Sequence, residues 1–133
     1  MKIRLTPLLS VFLMIITTSF AMNNNAVAQN KNPVVRLAKL VIDSAQLDNY
    51  KALLKEGVET AVRDEPGVKT LYAVSEKDNP THFTILEIYA YSAAYRSHIQ
   101  TPHFLKYKTG TKDMVKSLEL VEVVPLEPDM KIK

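Results

Sequence analysis

The alternation of apolar and polar residues predicts a strand and a long amphipathic helix in the first half of the chain. Residues 34–42 are rich in β-branched side chains and indicate a strand. Across residues 47–64 apolar residues recur at intervals of three and four, as on one face of a helix, with charged residues between them. Asp43 or Ser44 is expected to cap this helix, and Pro66-Gly67 ends it.

The second half of the chain predicts a hairpin, two short helical segments and a final strand. Asp78-Asn79-Pro80 is a turn signal between two strand-like runs, which together form the hairpin. Ser92 is expected to cap one helical segment, and Thr101 to cap a second one whose first residue is proline. The predicted elements are strands at 68–75 and 81–90, helical segments at 92–99 and 102–110, a turn at 112–115 and a strand at 118–124.

The resulting order, β-α-β-β-α-β, is typical of an α+β, ferredoxin-like fold, in which both helices cover one face of a four-stranded antiparallel sheet. Such a sheet should alternate apolar and polar residues, but these strands are apolar on both sides. In the third strand Phe83 and Ile85 face one way while Leu86 and Ile88 face the other. A second copy of the sheet is the simplest cover. The pattern therefore favours a back-to-back homodimer over a monomer with an exposed apolar face.

The amino terminus is typical of a secretory signal peptide. Lys2 and Arg4 precede an apolar run at residues 8–20, which is too short for a membrane-spanning helix. Small-residue patterns indicate cleavage after Ala28, or alternatively after Ala21. The sequence therefore predicts an exported protein, periplasmic or secreted, with residues 1–28 as the leader and no stable membrane anchor. An uncleaved amphipathic anchor is the competing interpretation.

The remainder, residues 29–133, is the length of a single domain, with an ordered core expected at about 33–126. The leader holds two of the 17 basic residues and none of the 14 acidic ones, so this domain is nearly neutral. No nucleic-acid partner is inferred from such a charge. The absence of cysteine excludes disulfides and a lipoprotein anchor on cysteine.

Two of the three histidines, His98 and His103, lie close together in the helical region. Paired metal ligands on one helix are usually four residues apart, whereas these are five apart with a proline between them. A zinc or non-haem iron site therefore stays a minor alternative, and no metal is expected. A serine-hydrolase elbow and a glycine-rich phosphate loop are missing from a chain with only three glycines.

A metal-free pocket lined by aromatic residues is the favoured site. His98, His103 and Glu87 are the candidate catalytic residues. Glu87 is expected to be enclosed in its strand, where a carboxylate needs a hydrogen-bonding partner such as a histidine. Structural roles are open for all three, since the histidines could serve helix packing and Glu87 could be a structural acid paired with Arg96 or His98. The candidate pocket residues are Tyr72, Phe83, Tyr89, Tyr95, Phe104 and Tyr107.

The segment Ala94–Phe104, preceded by Glu87-Ile88-Tyr89, resembles the signature of the antibiotic biosynthesis monooxygenase domain, and most of all its quinol monooxygenase branch. Weaker matches, among them Glu65-Pro66-Gly67, extend over nearly the whole mature chain. The resemblance implies a dimeric α/β barrel that oxygenates a small aromatic quinol or phenol with O₂ and without a cofactor. It also implies that His98 or His103 is the base or else orients the substrate oxygen, that Glu87 fixes the imidazole tautomer and that the aromatic residues form the walls.

Two departures from the family pattern keep other functions open. Tyr91-Ser92 replaces the usual acidic residues, and Tyr89 stands where many members have tryptophan. Since the chain has no tryptophan, haem breakdown is disfavoured. The alternatives are an exported protein that binds a quinone-like molecule without turnover, and an O₂-independent isomerase that uses Glu87 and His98 as proton shuttles.

Overall fold

The computed structural model describes residues 32–127; the predicted leader lies outside them. The described elements are β1 (Val34–Ile42), a 3₁₀ turn (Ser44–Gln46), α1 (Leu47–Asp64), β2 (Val68–Ser75), β3 (His82–Tyr89), α2 (Ser92–His98), α3 (Pro102–Gly110) and β4 (Val115–Glu122). Within this part of the chain, no helix has the length and apolar character needed to cross a bilayer.

The four strands form one antiparallel sheet in the order β2-β3-β1-β4, as the ferredoxin-like prediction requires. Strand β4 begins three residues earlier than predicted, because Val115 pairs with Ile42 and Asp43 N–H donates to the Met114 carbonyl at 2.8 Å. The polar residues before Leu118 are therefore part of the ladder. The edge position of β4 explains why polarity alone suggested a turn there.

Two of the predicted helix caps are confirmed, and the third is wrong, because Tyr91 and not Ser92 is the N-cap of α2 and it makes no side-chain cap hydrogen bond. The Asp43 carboxylate accepts a hydrogen bond from Ala45 N–H at 3.0 Å and caps the 3₁₀ turn ahead of α1. The Thr101 hydroxyl accepts from Phe104 N–H at 3.3 Å and caps α3, with Pro102 at its first position. These caps fix where the helices enter the structure, and α3 carries His103.

The core lies between the sheet and α1. Tyr50 of α1 is fully buried and meets the Phe83 ring edge-on, with 5.1 Å between the ring centroids. Its hydroxyl shares a hydrogen bond of 3.0 Å with that of Tyr107, which ties α1 to α3. The buried members of this cluster are Ala38, Leu40, Ile42, Tyr50, Leu54, Phe83 and Ile85.

The opposite side of the sheet, called here the outer sheet face, packs against no helix among residues 32–127. Strand alternation and the pairing register place Leu37, Leu86 and Tyr72 side by side there. Tyr72 is 66% exposed and Val74 46%. The outer sheet face carries the apolar or aromatic residues Val35, Leu37, Tyr72, Val74, Leu86, Ile88 and Val121.

Gly67 allows α2 to approach the start of β2. A Cβ atom at this position would lie 2.5 Å from the Ala94 Cβ atom, closer than two carbon atoms can pack. The Gly67 carbonyl also accepts a hydrogen bond from Ala90 N–H at 2.8 Å. This contact sets the position of α2, and with it the position of His98 at the end of that helix.

Gly67→Ala is expected to lower the free energy of unfolding by about 1–3 kcal/mol, because the added methyl overpacks the α2 contact. Gly57→Ala is the matched control. Its new Cβ would meet Tyr107 at an ordinary 3.5 Å, and alanine should stabilise the interior of α1 by about 0.5–1 kcal/mol. Denaturant unfolding measures both changes, and equal effects would contradict this account of Gly67.

Candidate active site

A cavity of about 640 Å³ lies between the helices and the helix-facing side of the sheet. One wall comes from β1 and β3, through Arg36, Ala38, Leu40, Ile85, Glu87 and Tyr89. The facing wall comes from α2 and α3 and the residue between them, through Tyr95, His98, Ile99, His103, Phe104 and Tyr107. The structure thus brings both candidate histidines and Glu87 to one cavity.

A single carboxylate oxygen joins the two histidines. Glu65 Oε1 lies 2.8 Å from His98 Nδ1 and 2.6 Å from His103 Nε2. All three side chains are at most 16% exposed. Glu65 follows the last turn of α1, where its backbone N–H donates to the Ala61 carbonyl at 3.0 Å. One acid at the end of α1 therefore holds side chains from α2 and α3.

The hydrogen-bond partners fix where each imidazole carries its proton. The Thr101 hydroxyl has one hydrogen, which it donates to the His98 carbonyl at 2.7 Å. It must therefore accept, rather than donate, in its 3.1 Å contact with His103 Nε2. His103 is protonated at Nε2 and donates to Thr101 and to Glu65. His98 donates from Nδ1 to Glu65, so a neutral His98 has its lone pair on Nε2.

Glu87 does not have the role assigned to it from the sequence, since Glu65 and not Glu87 binds the imidazoles. Glu87 Oε2 instead accepts a hydrogen bond of 3.0 Å from the Tyr89 hydroxyl. Burial raises the pKa of Glu87, and this outweighs the lowering by the Tyr89 bond and by the charges of Arg36 and His98. Burial, with the adjacent Glu87, also raises the pKa of Tyr89, which keeps the phenol protonated as a donor.

Arg36 is a buried cation in the same wall, directly across from Glu87 in the sheet register. It donates to Glu122 Oε1 at 2.8 Å, and its guanidinium lies 4.2 Å from the centroid of the Tyr95 ring. Its Nε is the only buried side-chain nitrogen or oxygen in residues 32–127 without a hydrogen-bond partner. Arg36 and Glu87 place opposite charges next to His98.

The aromatic candidates divide between the two sides of the sheet. Tyr89, Tyr95, Phe104 and Tyr107 line the cavity, as predicted. Tyr72 was assigned to the pocket incorrectly, because its register partner is Leu86 and both lie on the outer sheet face. Phe83 was also assigned incorrectly, since it is buried against Tyr50 and does not line this cavity.

The same three side chains, Glu65, His98 and His103, are a set that could hold a metal ion, with ligand atoms within 4.8 Å of one another. Their chemistry suits zinc or iron. Tetrahedral ligands at about 2.0–2.1 Å from a zinc ion lie roughly 3.3 Å apart. The oxygen-nitrogen distances of 2.6 and 2.8 Å are those of charge-assisted hydrogen bonds instead, so the side chains would have to separate to admit an ion.

Reasoning from the sequence missed Glu65 and Arg36 as parts of the site. Glu65 stands in the Glu65-Pro66-Gly67 match, which was used only as evidence for the family. The sequence offered only an acid at the end of α1, and nothing in it placed that end beside the histidines. Arg36 offered the signal of a cation among the alternate, inward-facing residues of β1, which are otherwise apolar.

Comparisons with known proteins identify the family and the fold. Residues 33–110 match the family model described as antibiotic biosynthesis monooxygenase. A solved structure from Bacteroides thetaiotaomicron VPI-5482, named for the same family, has 58% identity and a TM-score of 0.76 over 77% of this chain and 97% of its own. No curated protein matches the chain.

Two further structures share the fold. One from Lactobacillus acidophilus NCFM, named as a monooxygenase, has 31% identity and a TM-score of 0.69 over 72% of this chain but only 46% of its own. One from Nitrosomonas europaea, named as an antibiotic biosynthesis monooxygenase, has 21% identity and a TM-score of 0.67, over 71% of this chain and 99% of its own. At 21% identity, the likeness to the Nitrosomonas europaea structure concerns the fold alone.

Glu65→Ala is expected to lower the free energy of unfolding by about 1–3 kcal/mol, because two largely buried imidazole N–H groups lose their acceptor. Glu59→Ala, on the exposed side of α1, should change it by less than about 0.5 kcal/mol. Imidazole ¹⁵N NMR of the unmodified protein should find neutral His98 protonated at Nδ1 and His103 protonated at Nε2. Protonation of neutral His98 at Nε2 instead would overturn the assigned network.

Proposed function

The chain belongs to the antibiotic biosynthesis monooxygenase family, and from this premise we propose that it oxidises a small aromatic quinol or phenol with O₂, using no bound cofactor. The observation that carries the proposal is the pairing of His98 with Glu65 at the wall of a largely apolar cavity. The carboxylate behind the ring leaves Nε2 as the basic atom. An oriented imidazole of this kind is suited to general-base chemistry at neutral pH.

The proposed reaction balances with O₂ as the only oxidant. His98 Nε2 takes the proton of a substrate hydroxyl and leaves an electron-rich anion. This anion gives one electron to O₂, and the resulting superoxide and substrate radical combine to form a carbon–oxygen bond. The peroxide takes that proton back and becomes a hydroperoxide. The attacked ring carbon then loses its hydrogen as a proton while the O–O bond breaks. One oxygen atom stays on this carbon as a carbonyl, and the other leaves as water with the proton from the hydroxyl and the hydrogen from the ring carbon.

The surroundings of His98 support each requirement of this scheme. The developing imidazolium is stabilised by the Glu65 carboxylate at 2.8 Å. Arg36, in the opposing wall, favours a negatively charged substrate oxygen. Aromatic rings pack around the imidazole, with Tyr89 and Phe104 at centroid distances of 5.4 and 5.1 Å. These rings restrict water, which would otherwise stabilise the anion and slow its oxidation.

We also propose that two copies associate through the outer sheet face, which would complete a dimeric α/β barrel, and that the protein is exported. The support for association is the row of apolar residues on a face that no described helix covers. The support for export is the leader-like composition of residues 1–28. Export would make quinols outside the cytoplasm the available substrates.

His98→Gln is expected to lower the rate of O₂ consumption with a responsive quinol by about 10²–10⁴-fold, the usual contribution of a general base. His82→Gln is the matched control, because His82 is 45% exposed at its side chain and lies away from the cavity, with its Nδ1 3.6 Å from Glu76 Oε2. An O₂ electrode with metal-free protein and a panel of quinols, run aerobically and under argon, measures the effect.

Three results would contradict the oxygenase proposal. O₂ uptake no faster than the uncatalysed background with every quinol would remove it. Saturable binding without turnover would identify a binding protein. Conversion of substrate under argon would identify an isomerase.

Val74→Lys should weaken the proposed dimer by at least about tenfold, because each interface would bury two added charges. Leu105→Lys also replaces an aliphatic residue by lysine, at a position on α3 that is 50% exposed, against 46% for Val74. It should leave the dimerisation constant unchanged. Analytical ultracentrifugation at micromolar concentration measures the equilibrium. A monomeric unmodified protein would reject the association.

A further inference from the structure

The cavity has two polar ends that differ in chemistry. At one end Glu87, Tyr89 and His98 supply titratable and hydrogen-bonding groups. At the other end the lining comes from the last turn of α3, the turn after it and the start of β4. Three lysines belong to that second end, Lys108, Lys112 and Lys116, and all are exposed. They are called here the lysine end.

The region between the two ends is apolar. Leu54, Tyr107 and Ile85 line it from the helices and the sheet, and Leu118 and Leu120 of β4 line it from the edge. Although they face the helix side, Leu118 and Leu120 are 44% and 51% exposed. When a flat apolar ligand covers apolar side chains that are open to a cavity, the loss of their contact with water stabilises the complex.

The length of this region follows from the register of β4. Lys116 of the lysine end lies six residues before Glu122 in β4, and Glu122 pairs with Arg36 at the other end. At about 3.3 Å per residue these two levels of the sheet are roughly 20 Å apart. The lysine side chain and a hydrogen bond of about 3 Å at each end of the ligand take up part of this distance. Two fused aromatic rings with a polar group at each end are close to the right length.

The charge at the lysine end is largely uncompensated. Within residues 32–127, neither Lys108 nor Lys112 has a carboxylate within 4 Å, and Lys116 lies 3.5 Å from Asp43 Oδ2. Glu87 is the only acidic residue among those that line the cavity, and it lies at the opposite end beside Arg36. A cleft with apolar walls concentrates the field of such charges and attracts ligands of opposite sign.

We propose that the cavity takes a planar aromatic acid, with its phenolic oxygen at His98 and its carboxylate at the lysine end. Resting on the proposed function, this names the substrate class of the same site. The carboxylate is ionised at neutral pH and accepts hydrogen bonds from ammonium groups, while the ring covers Leu118 and Leu120. The acid group lies away from the reacting carbon and serves recognition.

Three fluorescent naphthalenes test the two ends separately. 6-Hydroxy-2-naphthoate carries both polar groups, 6-hydroxy-2-naphthamide lacks the charge, and 2-naphthoate lacks the hydroxyl. Equilibrium titrations under argon at pH 7.5 and low salt should find the hydroxynaphthoate bound about tenfold more tightly than its amide. The preference should shrink towards one as the salt concentration rises to 0.3 M, because salt screens the lysines.

The triple variant K108Q/K112Q/K116Q should lose the preference for the acid and keep the affinity for the amide. The triple variant K51Q/K55Q/K77Q removes the same total charge from exposed positions elsewhere and should keep the preference. Equal binding of acid and amide by the unmodified protein would overturn the proposal. Equal losses in both triple variants would also overturn it, because net charge and not the lysine end would then be responsible.

At the other end, His98→Gln should weaken the hydroxynaphthoate but leave 2-naphthoate unchanged. Equal losses for the two ligands would place the hydroxyl elsewhere and overturn the orientation. These titrations involve no O₂ and no turnover. A failed oxygenase assay with intact charge discrimination would therefore reject the reaction and keep the ligand class, and the reverse outcome would do the opposite.

Discussion

The shared carboxylate of Glu65 is the interaction on which the arrangement of the site depends. It joins the end of α1 to α2 and α3 through two hydrogen bonds of 2.6 and 2.8 Å. Because the three side chains are largely buried, an unpaired partner would have little water to replace the lost bond. The same bonds orient His98 towards the cavity. The support of the three helices and the orientation of the imidazole are therefore properties of one contact.

A second constraint is the pairing of charge inside the cavity wall. Arg36 and Glu87 occupy opposed positions in β1 and β3, where apolar residues would otherwise complete the core. Glu122 and Tyr95 contact the guanidinium, and Tyr89 contacts the carboxyl. Ionisable groups in such surroundings reduce stability unless they are paired. Their location beside His98 is consistent with a polar end maintained for chemistry in an otherwise apolar cavity.

The sequence was sufficient for the element order and for much of the cavity, because both follow from local rules. Thr101-Pro102 marks a helix start, and the alternation along β3 places Glu87 and Tyr89 on one side. The partner of the histidines was not accessible in this way, since Glu65 and His98 are 33 residues apart and meet only after α1 and α2 pack. The prediction that Tyr72 lines the pocket was wrong for a related reason. The face of the sheet on which Tyr72 lies depends on how β2 pairs with β3, and an aromatic residue in a hairpin does not specify that pairing.

The partly exposed leucines of β4 determine where the cavity can change its shape at the lowest cost in packing. The histidine end is crowded, with α2 pressed onto Gly67 at a distance that admits no extra methyl. Leu118 and Leu120 stand on an edge strand with room around them. Side-chain changes that enlarge or reshape the cavity therefore disturb the packing less at the β4 margin than at the histidine end.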